Sequence, residues 1–313
     1  MGYVYSLIAA LLFGANGSVT KVIVDAGLTP AQLTFFRVLT SAVLAGLILL
    51  LTDRRAFRVS PRQLVDFAVL GVVGVALLQF TYAVALSLLP VGITLLIEYT
   101  AVLMVAVIAF FFLHEQVKAR LWVAIGFVLA GLAVVAQIGA SLLNPVGVLI
   151  ALCAAITLTV YFLSGERAVR KAPPLAVAFW TMLFATVFWA VFSGWWQLDP
   201  EVLTTEVSLT GNLEGVVVSL WVPLAWNVVL GSFVAFLLSL IALGRLKATT
   251  AGIVASSEVI FAFVVAWLWL GEELDGAQIV GAALVLGGII LAQTARTGRV
   301  VDADLALADH PPR

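Results

Sequence analysis

Four ionisable side chains interrupt long apolar runs in this chain: Lys21, Arg37, Glu98 and Glu258. The sharpest case is LLIEYTAVLM (95–104), where Glu98 is the sole charge. A carboxylate in an apolar setting must face a polar interior, take up a proton or pair with a cation. One base and two acids held in that way can do two kinds of chemistry. A guanidinium and a carboxylate set apart can receive the carboxylate and ammonium of a zwitterion. A carboxylate alone can accept and release a proton. Uncharged polar and aromatic residues accompany them: Asn16 with Thr20, Gln79 with Tyr82, then Tyr99, Trp180, Trp226 and Asn227. Spacings of three and four put the first two pairs each on one helix face. Such groups either join helices or line a cavity, and aromatic walls can receive cations.

The elements that carry these residues follow from composition. Of 313 residues, 63% are hydrophobic and 11% charged, and mean hydropathy is +1.18. A soluble chain of this length needs more polar surface, so the expected class is an all-α polytopic membrane protein. A span needs about 20 apolar residues. Ten stretches reach that length, at about 3–24, 30–51, 64–86, 91–113, 120–141, 145–164, 174–196, 218–242, 248–270 and 276–295. MGYVYSLIAALLFG opens without a basic stretch and reads as the first span, not a cleaved signal. The acylation pattern MGYVYS and the glycosylation pattern NGS at Asn16 both fall in that span and are discounted. Cys153 is the only cysteine, which leaves no internal disulfide or thiolate metal site; within its apolar run it reads as a small packing residue.

Every Lys and Arg except Lys21 and Arg37 falls on one set of alternate connectors or in the tail. The opposite connectors carry Asp199, Glu201, Glu206, Glu214, Glu272, Glu273 and Asp275. By the positive-inside rule both termini are cytoplasmic. The longest connector, near 197–218, has room for an interfacial segment. The polar tail 296–313 is expected to be disordered and cytoplasmic.

The chain also repeats itself. LLPVGITLLIEYTAVLMVAVIAFFFLHEQV (88–117) lies over RLKATTAGIVASSEVIFAFVVAWLWLGEEL (245–274) without a gap, matching Leu89 with Leu246, Ala109 with Ala266 and Glu115 with Glu272. Two five-helix halves result, 1–143 and 144–295. An odd number of spans per half makes them inverted repeats, an arrangement associated with alternating access around a midplane site.

Over nearly its full length the chain resembles the EamA-type members of the drug/metabolite transporter superfamily. The resemblance is carried by LLFGANGSVTKVIVDAGLTPAQLTFFRVLTSAVL, LPVGITLLIEYTAVLMVAVIAFFFLHEQV and ALGRLKATTAGIVASSEVIFAFVVAWLWLGEEL. It implies ten helices in inverted repeats and movement of small organic solutes, usually outward. Relatives often carry proline after YTA and after the glutamate matching Glu258; here Val102 and Val259 stand there.

Depth suggests partners. Arg37 lies seven residues in from Pro30 and Glu98 seven in from Val91, each roughly 10 Å deep at 1.5 Å per residue. Arg37 is the leading partner for Glu98, as a structural clamp or as a cavity wall that opens to a zwitterion. Lys21 is the rival. Glu258, ten residues in from Ala248, sits roughly 15 Å deep. It reads as a proton or ammonium site, or as a neutral carboxyl bonded to Ser256, Asn227 or a backbone carbonyl. HEQV at 114 and GEEL at 271 end two spans, where helix capping or loop contacts account for their acids.

No enzyme is expected. The HE pair at 114 lacks the second histidine of a zinc-protease helix, and no phosphate-binding loop occurs. The expected function is a secondary-active transporter in a bacterial-type plasma membrane, without cofactor. Its substrate is expected to be a small molecule, first of all an amino acid that is exported. The alternative is an organic cation or hydrophobic drug held by an acid and aromatic walls. Protons are the candidate coupling ion, the lipid bilayer is the other partner, nucleic acid is excluded, and no stretch specifies an oligomeric state. The substrate-binding or coupling residues are Glu98, Arg37, Glu258, Asn16, Gln79, Tyr82, Tyr99, Asn227 and Trp180.

Overall fold

In a computed structural model, the residues described are 2–111, 120–138, 143–243, 245–246, 254–273 and 276–295. His114, Glu115 and the tail from Arg296 lie outside them. Helices dominate: α1 (Gly2–Asp25), α2 (Pro30–Thr52), α3 (Pro61–Leu86), α4 (Val91–Glu98), α5 (Ala101–Phe111), α6 (Arg120–Ile138) and α7 (Pro145–Lys171), then α8 (Pro174–Phe192), α9 (Trp221–Ala242), α10 (Ser257–Leu270) and α11 (Gly276–Ala295). Six of these, α1, α2, α3, α7, α8 and α9, are long and apolar enough to cross a membrane. Large apolar side chains stand on the outer surface, among them Leu51, Val65, Leu149, Phe192 and Leu268. In water such a surface would be costly; in lipid it is the solvated face.

Local sequence sets the helix ends. Thr29 and Ser60 each close a capping box with a glutamine three residues on, ahead of Pro30 and Pro61. Asn144 caps α7 through the N–H groups of Val146 and Gly147. Gly271, at φ 68°, ends α10 in the left-handed region that glycine enters without penalty.

The described residues are overwhelmingly helical, as expected. Two small features differ from the sequence expectation. The long connector holds a short antiparallel hairpin, β1 (Glu206–Ser208) with β2 (Val217–Ser219). Val207, Val217 and Val218 favour extended backbone. The hairpin turn docks on the end of α10, where Asn212 Nδ2 donates to Leu268 O at 3.1 Å and Trp269 Nε1 donates to Leu209 O at 2.8 Å. Cys153 is exposed, not packed, because it lies on the outward stripe of α7 with Leu149 and Ile156.

The helices near the centre are irregular in a regular way. The chain breaks at Tyr99–Thr100, between α4 and α5, and turns again at Ser256, just before α10. The register that matches Leu89 with Leu246 carries Tyr99–Thr100 onto Ser256–Ser257. In both places a hydroxyl satisfies the carbonyl three residues back: Thr100 Oγ1 to Ile97 O at 2.7 Å and Ser257 Oγ to Val254 O at 2.6 Å. Neither break uses proline. Val102 and Val259 keep their N–H groups and donate to Tyr99 O and Ser256 O, at 3.1 and 3.2 Å. The helix is also widened over Leu70–Leu77 in α3 and over Val229–Val234 in α9, stretches that overlap in the same register. Widened turns free carbonyls for other donors. Trp189 Nε1 takes that of Ala76 at 3.1 Å and Ser232 Oγ takes that of Asn227 at 2.9 Å.

Glycines let helices approach closely. A Cβ on Gly131 of α6 would stand 2.6 Å from Gly281 O of α11, and one on Gly288 of α11 would stand 2.8 Å from Ala124 O. Small residues at such crossings allow backbone contact, the main source of helix association in lipid. Gly131→Val should therefore lower stability by about 1–3 kcal/mol, read as a lower unfolding midpoint in detergent. Gly126→Ala, with no atom within 4 Å of its added Cβ, should leave the midpoint where it is.

Candidate functional site

A cavity of about 130 Å³ lies among α1, α2, α3, α4, α7, α9 and α10. It brings together seven of the nine residues singled out in the sequence: Asn16, Arg37, Gln79, Tyr82, Glu98, Tyr99 and Glu258. On α1 the lining runs Ser6, Ala9, Ala10, Phe13, Asn16, spacings that trace one helix face. The widened part of α3 contributes Gly74 and Val75, and both breaks open onto the space through Tyr99 and Ala255.

Arg37 is 4% exposed. Its Nε donates to Ser232 Oγ at 2.8 Å, and Ser232 Oγ donates in turn to Asn227 O at 2.9 Å. Asn227, fully buried, donates Nδ2 to Thr20 Oγ1 at 3.0 Å. This chain of bonds fixes the guanidinium from α9 and α1. Ion pairs among the described residues include Lys21–Glu272 and Lys171–Asp66, whereas Arg37 Nη1 and Glu98 Oε2 are left without a partner, so the direct Arg37–Glu98 pair suggested by equal depth is not formed. Equal height on two helices does not make their side chains face each other. Lys21 does not serve Glu98 either, since its ammonium is taken by Glu272 at 2.6 Å.

Glu258 has a partner the sequence did not suggest. Tyr99 OH donates to Glu258 Oε2 at 2.7 Å, while the Asn227 amide donates to Thr20. Because Tyr99 sits at one break and Glu258 two residues past the other, this bond ties the two irregular centres together. Asn227 and Trp180 do not line the cavity. Asn227 supports Arg37 from behind, and Trp180 packs edge-on to Phe179 and tilted against Phe184, at centroid distances of 5.2 and 6.3 Å.

Several buried polar atoms on the lining have no hydrogen-bond partner in the protein: Arg37 Nη1, Glu98 Oε2, Gln79 Oε1, Tyr82 OH and Asn16 Oδ1. Buried polar atoms left in that state cost about 1–3 kcal/mol each, more if charged. Five around one cavity mark a surface made for a polar guest. The set holds one cationic donor and three acceptors, with a hydroxyl that can serve either way. Phe13, Tyr161, Phe162 and Phe236 complete the apolar part of the lining. Sequence reasoning missed Ser6, Tyr161, Ser232 and Ser239. Ser6 was within reach, since it falls on the Asn16 face of α1 at helical spacing.

Comparison with known proteins places these features. The EamA-like transporter family model matches residues 1–137 and 145–294. The chain is 23% identical, over 84% of its length and 81% of the other's, to the uncharacterized transporter YdfC of Bacillus subtilis. It is 28% identical to the threonine/homoserine exporter RhtA of Escherichia coli, over 70% of this chain and 67% of that one. For RhtA of Salmonella typhimurium the identity is 26%, over 67% of this chain and 64% of that one. A solved crystal structure aligns with a TM-score of 0.65 at 19% identity, over 93% of this chain and 96% of its own, which shows a shared fold.

Tyr99→Phe should lower stability by about 1–3 kcal/mol, because Glu258 Oε2 loses a donor in a part-buried place. Tyr82→Phe should not, since that hydroxyl has no protein partner to lose. Thermal unfolding of the two variants in detergent reads the contrast.

Proposed function

The chain belongs to the EamA-like transporter family and is a multi-pass transporter of the bacterial-type inner membrane; on that premise we propose that it exports small amino acids through the cavity around Arg37 and Glu98. The carrying observation is the set of unpartnered lining atoms, a guanidinium Nη1 together with acceptor oxygens of Glu98, Gln79 and Asn16. A zwitterion complements this set with a carboxylate for Arg37 and an ammonium for the acceptors. Size supports the same class. A water-sized group needs at least 10–15 Å³ of such space, so about 130 Å³ takes on the order of ten heavy atoms at most. That suits a small amino acid better than a large drug. The threonine/homoserine exporters among the relatives add weight from outside the structure.

The proposed architecture is ten spans in two inverted five-helix halves, with α4 and α5 counted as one broken span and both termini cytoplasmic. It is supported by the matching breaks at Tyr99–Thr100 and Ser256, by the matching widened stretches, and by the two consecutive ranges of the family match. Rocking of the halves about the cavity would expose it to each side in turn. Glu98 and Glu258 are the candidates for proton coupling.

Ligand-induced stabilisation of the purified protein tests the substrate class. Threonine, homoserine and related zwitterions should raise the unfolding midpoint, and quaternary amines should not. Arg37→Gln removes a charged hydrogen bond and should weaken zwitterion binding about 10- to 100-fold. If quaternary amines bind and Arg37→Gln leaves them bound, the site belongs to an organic-cation carrier held by an acid and aromatic walls. If zwitterion affinity depends on pH in the parent and loses that dependence in Glu98→Gln or in Glu258→Gln, the altered acid is the coupling site. Unchanged binding in both variants rules out coupling through either acid.

A further inference from the structure

The cavity is closed at one end by a layer that ends in a three-part polar latch. Lining residues on α1 stop at Asn16, and those on α4 begin only at Leu95. Beyond them, α1, α3, α4 and α10 meet through glycines. A Cβ on Gly17 would stand 2.6 Å from Val91 Cγ1 and 2.7 Å from Tyr82 OH. One on Gly92 would overlap the Phe263 ring. One helical turn past Gly17, Lys21 Nζ meets Glu272 Oε1 at 2.6 Å. The other oxygen, Oε2, accepts from Val91 N at 3.0 Å.

That second bond is unusual in its origin. Pro90 precedes α4 and offers no side chain to cap it. The cap comes instead from Glu272, 181 residues away, and its charge suits a helix N-terminus. Val91 thus belongs to both layers, with its side chain in the glycine seal and its N–H in the latch. The latch joins α1 and α4 of the first half to the end of α10 in the second. Neither Lys21 nor Glu272 is fully buried, at 27% and 17% side-chain exposure, so water can replace the bonds when the helices part.

We infer that Lys21, Glu272 and the Val91 N–H form the gate at this end of the transport path, whose opening frees α10 from α1 and α4 and admits the cavity to that side of the membrane. The inference rests on the transport reading of the cavity, but its test measures access, not transport, so the two can fail separately. A pair of this exposure is worth little alone, and a helix cap somewhat more. Each must be counted as a bias on an equilibrium between closed and open forms.

The test uses the full chain in membrane vesicles, with Cys153→Ala and a reporter Ala10→Cys on the cavity lining. An impermeant thiol reagent is added on the side of the α4 N-terminus. Glu272→Ala removes the ion pair and the cap together and should raise the labelling rate about ten-fold. Lys21→Ala and Glu272→Gln, which spare an acceptor for Val91 N, should raise it about three-fold. Lys21→Arg should label at the parent rate. A lower unfolding midpoint with labelling unchanged in Lys21→Ala and Glu272→Gln would make the latch a structural clamp and overturn the gate. Equal labelling from both sides in Glu272→Ala marks a misfolded chain, and the milder Lys21→Ala and Glu272→Gln then decide.

Discussion

Polar groups inside an apolar helix bundle must be partnered, and the placement of almost every other feature near the centre answers that constraint. At bilayer depth a charged side chain costs roughly 2.5–3.5 kcal/mol even on insertion scales. Arg37 meets part of this through Ser232, which is in position because α9 widens at Val229–Val234. The widening also frees the Asn227 carbonyl that Ser232 satisfies. Glu258 meets it through Tyr99. Five of the atoms left without a protein partner lie on the cavity lining, and there the cost becomes binding energy that a complementary solute can recover.

The helix breaks serve the same end. A continuous helix would consume its own carbonyls and turn Tyr99 away from α10. At Tyr99–Thr100 and again near Ser256 the ladder is interrupted, and Thr100 and Ser257 hydroxyls bond the carbonyls three residues back. Side chains that bond the backbone in this way compete with helix and favour bends. The break therefore survives at positions where Val102 and Val259 stand in place of proline. Two such points are tied by the Tyr99–Glu258 bond, with the Lys21–Glu272 ion pair at the end of the same helices.

Much of this was legible in the sequence because hydropathy and spacing are one-dimensional signals. The six long spans, the two acids within apolar runs, Arg37, and the pairs Asn16–Thr20 and Gln79–Tyr82 all follow from runs and intervals. Depth along a helix follows as well, at 1.5 Å per residue. Azimuth does not, because each residue turns about 100° and the helix orientation is set by neighbours. Hence Arg37 and Glu98 came out at one height yet unpaired, and Trp180 proved to pack among Phe179 and Phe184. Ser232 was invisible because its role depends on a widened turn. Glu272 was assigned a helix-end role, and it does cap a helix, but one remote in sequence. Short hydroxyl residues in apolar runs, passed over in favour of charges, carried the missing signal.

The central claim is that the cavity's unpartnered polar atoms receive a small zwitterion. Counterflow in proteoliposomes tests it most directly. With purified protein and an excess of unlabelled threonine inside, labelled threonine or homoserine outside should accumulate transiently, and external choline at the same concentration should not compete. Accumulation of labelled choline with no movement of either amino acid would contradict the account.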